Sequence, residues 1–223
     1  MLVVAAGCML GAFLGMIFLT LVIFGHDELI TRISELDFSG MSVLGGISGG
    51  FIGVEITKKI IGYSQPTGDA FAVAIPFAHA IGRLGCYFVG CCYGTICNLP
   101  WALEYPSMSP AYLDHLKQGL ITIENTLSLP VHPIPIYEIL FNFMLFAFIL
   151  KIRDRFIAIG SLFRVYLILF CLFRFFEEFI RSGTGEPIFI GLKFVQIYLL
   201  VGIVYFTKWL YINEFRLKTN FSI

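Results

Sequence analysis

Runs of about twenty apolar residues recur along this chain, and they constrain its fold more than anything else in it. Backbone N–H and C=O groups in hydrocarbon must be satisfied within the segment that carries them, so each run predicts a membrane-crossing α-helix. Six runs occur, at about 2–24, 41–61, 70–89, 134–152, 159–179 and 188–211. Only 13% of the residues are charged and 58% are hydrophobic. A soluble domain carries about 25% charged residues, so the chain reads as a single all-α polytopic membrane domain. One polar stretch, 94–130, holds Trp101, Pro100, Pro106 and Pro110 and is long enough for a small extracytoplasmic head. A net charge of zero argues against nucleic acid as a partner. Met1 leads straight into the first run without a basic n-region or a small-residue cleavage site, so no signal peptide is expected.

Loop charges predict the orientation. Lys58, Lys59, Lys151, Arg153, Arg155, Lys208, Arg216 and Lys218 follow the even-numbered runs; Arg32, Lys117 and Arg181 follow the others. By the positive-inside rule both termini are then cytoplasmic. The end of the third run, the 94–130 head and the Arg174–Glu186 region fall together on the outer side.

The stretch from His79 to Gly94 combines that placement with unusual chemistry. It holds His79, Arg83, Cys86, Cys91 and Cys92, with glycines at 82, 85, 90 and 94. Arginine in hydrocarbon costs a few kcal/mol or more, and glycines permit close backbone approach. The stretch therefore reads as an anion site at membrane depth, the alternative being a helix-packing face whose arginine snorkels. His79 precedes Arg83 by one helical turn on the same face, where a neutral imidazole either accepts a proton or is a satisfied core histidine.

Three further groups lie on the same side. His132, Tyr137 and Glu138 open the fourth run; a carboxylate there either serves a site or merely complements the helix dipole. Arg174, Glu178 and Arg181 fall at i, i+4 and i+7, one helical face able to hold a phosphate while the carboxylate orients the guanidinium groups. Glu177 is expected to point elsewhere, toward solvent. Gln196 is an amide donor near the start of the sixth run, and Lys193 is expected to snorkel.

Cys8 and Cys171 sit in apolar runs as small hydrophobes. Cys86, Cys91, Cys92 and Cys97 lack the paired C-x-x-C spacing of a structural zinc site, so packed free thiols are the reading, with a disulfide open in an oxidising compartment.

The ordered motifs resemble prolipoprotein diacylglyceryl transferase over almost the whole chain from about Val3. They are Gly-Arg-x-Gly at 82–85, His-Pro and Tyr-Glu at 132–138, Phe-Arg-x-x-x-Glu-Phe-x-Arg at 173–181 and Gly-Leu…Gln at 191–196, with Ser39-Gly40-Met41-Ser42 ahead of the glycine-rich second run. The resemblance implies a bacterial inner-membrane transferase without cofactor or metal. Such an enzyme moves the diacylglyceryl group of phosphatidylglycerol to the lipobox cysteine of a prelipoprotein and releases glycerol phosphate. It implies Arg83, Arg174 and Glu178 as catalytic; His79, from its place one turn before Arg83, is the candidate base in this chain. Gly85, Cys86, Gly90, Gly94, His132, Tyr137, Glu138, Arg181 and Gln196 become substrate-binding. This chain departs from the family where a histidine motif is replaced near Leu44 or Ser48, where Cys86 stands for an asparagine and where Cys91 stands for an acidic residue. Its first run also matches the family's second span, so a span is expected to be lacking ahead of it. The alternatives are a transferase with another acceptor (a different thiol, an amine or water), a non-catalytic lipid-binding protein, or a small transporter, which the lack of an inverted repeat disfavours.

Overall fold

The computed structural model describes residues 2–24, 43–64, 67–156, 158–183 and 187–221. The His26–Phe38 loop, Ser39–Ser42 and Glu186 lie outside them. The described residues form two compact units, 1–65 and 66–223.

The first unit pairs α1 (Leu2–Phe24) with α2 (Val43–Ile61). Their contact is made of glycine: Gly7, Gly11 and Gly15 on one helix meet Gly45, Gly49 and Gly53 on the other, backbone against backbone. A Cβ on Gly11 or Gly49 would run into the opposing main chain, so the four-residue glycine spacing does form a packing face.

In the second unit α3 (Gly68–Val89) packs on α5 (Ile134–Ile152), and α6 (Ser161–Glu177) on α7 (Phe194–Phe221). Aromatic rings fill the joints: Phe77 meets Phe143 and Phe146, and Phe141 stacks on Phe173 at 3.9 Å. One end is fixed by carboxylates on the start of α6. Asp69 accepts from Gly160 N (2.8 Å) and Phe163 N (3.1 Å), and Glu214 accepts from Ala158 N (3.1 Å) and Ser161 Oγ (2.9 Å). These satisfy N–H groups that a helix start leaves without intrahelical partners.

The α3–α5 connection folds on itself around Tyr93, Tyr105, Ala111 and Val131. Within it α4 (Pro110–Lys117) is capped by Ser109, whose hydroxyl accepts from Tyr112 N at 3.3 Å. Tyr93 donates to Asp114 (2.7 Å), and His115 Nδ1 accepts from Leu129 N (3.2 Å). Burial, reinforced by Asp114, pushes the Tyr93 phenol up; burial alone lowers His115. Extended pieces meet only in isolated bridges such as Gly94 with Arg181 and Leu103 with Val131.

Among the described residues four helices are long and apolar enough to cross a membrane: Leu2–Val22, Gly68–Val89, Ile134–Arg155 and Phe194–Glu214. The protein is thus an all-α membrane protein. α2 falls short because it carries Glu55, Lys58 and Lys59, and α6 because it has 17 residues including Arg164, Arg174 and Glu177. The last helix starts at Phe194 rather than near 188, since Ile190 and Gly191 both take positive φ in a turn before it.

Candidate active site

The second unit gathers the charged side chains of four segments into one buried network. Arg83 lies on the core face of α3, 5% exposed, and its Nε pairs with Glu138 of α5. Glu138, 1% exposed, also takes Arg181 Nη1 at 3.4 Å. A carboxylate that could have served only the helix dipole instead joins two guanidinium groups from distant parts of the chain.

Arg174, in the last turn of α6, spreads its fork over two neighbouring carboxylates: Nη1 on Glu177 at 2.6 Å and Nη2 on Glu178 at 2.9 Å. Glu177 was expected in solvent, but it is buried against Arg174 because i and i+3 share a helical face as i and i+4 do. The Arg174–Glu178–Arg181 stripe is interrupted for a related reason. α6 ends at Glu177, and the following turn (Ile180 N to Glu177 O, 3.0 Å) carries Arg181 off the helix toward Glu138. Lys193 does not snorkel. Its Nζ lies 3.7 Å from Glu178 Oε1 and donates to the carbonyls of Glu178 (3.2 Å) and Arg181 (3.4 Å). This contact ties the Arg174 half of the network to the Arg181 half, and Arg83 and Arg174 fall within each other's electrostatic reach.

His79 sits one turn before Arg83, where its Nε2 accepts from Arg83 Nε at 3.1 Å. That contact leaves the ring proton on Nδ1, which is buried without a hydrogen-bond partner among the described residues. Asn142, one turn past Glu138, is fully buried and donates to the Glu138 carbonyl at 2.8 Å. Its Oδ1 is another buried polar atom without a described partner. A Glu-x-x-x-Asn pair inside an apolar run was the signal that could have found it.

The remaining predicted residues divide. Cys86 Sγ accepts from Arg83 Nη1 at 3.6 Å and so touches the network. Gly85 and Gly82 face open space, where an added Cβ would meet nothing. Gly90 and Gly94 are closed by protein: a Cβ at 90 would meet the Tyr105 ring at 2.8 Å, and one at 94 would meet His132 and the Ile180 carbonyl at 2.6 Å. His132 Nδ1 lies 3.3 Å from the Tyr137 hydroxyl, which accepts from Trp101 Nε1 at 2.8 Å. Those three form a polar chain of their own beside the ion pairs. Gln196 uses both ends of its amide on backbone, accepting from Lys193 N (2.9 Å) and donating to the Phe175 carbonyl (3.4 Å).

Four cations, Arg83, Arg174, Arg181 and Lys193, thus face three carboxylates, Glu138, Glu177 and Glu178. Guanidinium forks recognise phosphate oxygens in particular.

The model of the prolipoprotein diacylglyceryl transferase family matches residues 1–212. Similar curated proteins include the phosphatidylglycerol–prolipoprotein diacylglyceryl transferases of three bacteria. That of Mycolicibacterium paratuberculosis is 34% identical over 174 residues, covering 74% of this chain and 40% of the relative. For that of Rhodococcus jostii the values are 34% over 158 residues, 67% and 42%. For that of Treponema denticola they are 32% over 179 residues, 73% and 53%. The chain therefore spans about half the length of these relatives or less.

Proposed function

The chain belongs to the prolipoprotein diacylglyceryl transferase family, and from that membership we propose that it transfers the diacylglyceryl group of phosphatidylglycerol to the lipobox cysteine of a prelipoprotein. The observation that carries the proposal is the pair of buried guanidinium groups, Arg83 and Arg174, held charged by the carboxylates of one network. A phosphodiester offers the anionic oxygens that guanidinium forks recognise. Arg83 and Arg174 bind that phosphate and stabilise the charge that grows on the leaving glycerol phosphate. Glu138, Glu177 and Glu178 hold the guanidinium planes, and Arg181 assists through Glu138. These carboxylates let the arginines stay charged and oriented before the lipid arrives, so less reorganisation remains for the reaction itself.

His79 is the proposed base. Its Nε2 is occupied by Arg83, so a phosphate that draws Arg83 away frees that lone pair when the donor is in place. Proton removal by a positioned base contributes about 10²–10⁴-fold. The open faces of Gly82 and Gly85 give the lipid a close approach beside Arg83, while His132, Tyr137 and Gln196 frame the site through the backbone and Trp101.

The setting we propose is a bacterial inner membrane crossed six times, α2 and α6 included, with both termini cytoplasmic. Residues 94–130 form a head on the outer side, and the site opens to the outer leaflet. Purified protein with labelled phosphatidylglycerol and a lipobox peptide tests the reading. Glycerol phosphate should appear only when the peptide carries its cysteine, and Arg83→Gln should abolish the release. Release without peptide would assign another acceptor, and no release would leave a lipid binder.

A further inference from the structure

The end of α3 gathers three sulfurs that sequence spacing kept apart. Gly90 takes φ +73° and caps the helix, and Cys91 N donates back to Cys86 O at 3.2 Å. Such an ending presses together the side chains five positions apart, a contact that apolar residues usually fill. Here they are Cys86 and Cys91. Cys92 then adopts φ +58°, a conformation uncommon for a residue with a Cβ, and turns a third thiol onto the pair. The three Sγ atoms all lie within 4.8 Å of one another, each cysteine half-buried and free. Bonds of about 2.3 Å to one zinc would hold them about 3.8 Å apart.

Charge favours the same outcome. Arg83 donates to Cys86 Sγ at 3.6 Å. The candidate ligands that converge here are these three thiols.

We infer that Cys86, Cys91 and Cys92 bind one zinc ion through three thiolates and leave its fourth position to the acceptor thiol; the last clause rests on the transfer reaction proposed above. Three protein ligands with an open position is the arrangement of catalytic rather than structural zinc. A thiol that coordinates zinc is deprotonated outright and becomes a nucleophile at neutral pH. On coordination the acceptor S–H gives its proton to His79, the base proposed above. The sulfur lone pair forms the S–C bond to the glyceryl carbon while the C–O bond to phosphate breaks, its electron pair leaving with glycerol phosphate. The neutral thioether then leaves the metal, and nothing is oxidised or reduced.

Full-length protein in detergent, loaded with zinc and desalted, should retain one zinc per chain. Cys86→Ser, Cys91→Ser and Cys92→Ser should each weaken zinc binding by about tenfold or more, whereas Cys8→Ser, Cys97→Ser and Cys171→Ser should not. Cobalt in place of zinc gives sulfur-to-metal charge-transfer bands, which a lipobox peptide should shift and its Cys→Ser version should leave alone. Reversible chelation of the unaltered protein repeats the zinc test without any variant that fails to fold. Zinc retained by the triple serine variant, or a disulfide among the three cysteines in the isolated protein, overturns the site. Cobalt bands indifferent to the peptide overturn the open position. Transfer that survives chelation would refute this inference but keep the proposed reaction, and bound zinc without any transfer would do the reverse.

Discussion

Replacing Glu138 with glutamine tests the buried network at the point where two cations share one carboxylate. The amide keeps the shape and one acceptor but removes the charge between Arg83 and Arg181. Removing one partner of a buried ion pair costs about 3–5 kcal/mol, mostly because the other charge remains uncompensated. Arg83 keeps His79 and Cys86 as neighbours, and Arg181 holds Glu138 only at 3.4 Å. The lower end, about 3 kcal/mol, is therefore expected. For a chain of this size that lowers the unfolding midpoint by roughly 6–12 °C. Tyr137→Phe, one residue away, supplies the comparison. Its hydroxyl bonds to Trp101 and faces His132 outside the ion pairs, so its loss should cost only about 1 kcal/mol. Thermal unfolding in detergent, followed by circular dichroism, measures both. If Glu138→Gln shifts the midpoint no further than Tyr137→Phe, the carboxylate is not holding the arginines and the charge argument for a bound phosphate fails with it.

His79→Gln keeps a hydrogen-bond acceptor for Arg83 but cannot take a proton, so the transfer rate should fall by about 10²–10⁴-fold with the KM for phosphatidylglycerol nearly unchanged; an unaltered rate removes His79 from the reaction. Gly94→Ala pushes a methyl into the Ile180 carbonyl and should destabilise by about 1–3 kcal/mol. Gly85→Ala meets open space within a helix, so its stability should hold or rise by up to about 1 kcal/mol; lost turnover with retained stability would mark Gly85 as a lipid contact, and equal midpoints for the two variants would refute the packing account. His115 is lowered by burial, so the unfolded chain binds the proton more readily than the folded one. Stability should therefore be complete above about pH 6.5 and decline as the pH falls below it. His115→Gln should remove that part of the slope in a series of melts.

Much of this architecture was legible because hydrocarbon leaves few choices. The starts and ends of α1, α3 and α5 follow from apolar runs, and the glycine period of α1 announced the face it packs with. Arg83, Arg174 and Glu138 stood out because charge inside such runs is expensive and therefore informative. What periodicity could not give was pairing across elements. Glu177 looked like a solvated neighbour of Glu178 until the fork of Arg174 took both, and Arg181 left its helical face because the helix stops four residues before it. Spacing also could not show how close the free cysteines come. Counting residues between ligands assumes a familiar turn, whereas Gly90 and Cys92 in left-handed conformations fold positions 86, 91 and 92 onto one point.

Those two surprises bear on one another. A site for phosphoryl departure needs fixed positive charge, and fixed charge at membrane depth needs carboxylates within reach, which Glu138, Glu177 and Glu178 supply. In the proposed reaction the acceptor side has a different requirement, a sulfur nucleophile kept anionic beside those same arginines. This chain sets Cys86 and Cys91 at the end of α3, and Arg83 reaches the first of them while its Nε holds Glu138 and His79. One guanidinium thus borders the proposed phosphate subsite and the thiol cluster together. Substituting Arg83 should therefore weaken anionic-lipid binding and the affinity of the three thiols for zinc in the same variant. If metal affinity stays put while lipid binding collapses, the two halves of the site are neighbours without being coupled.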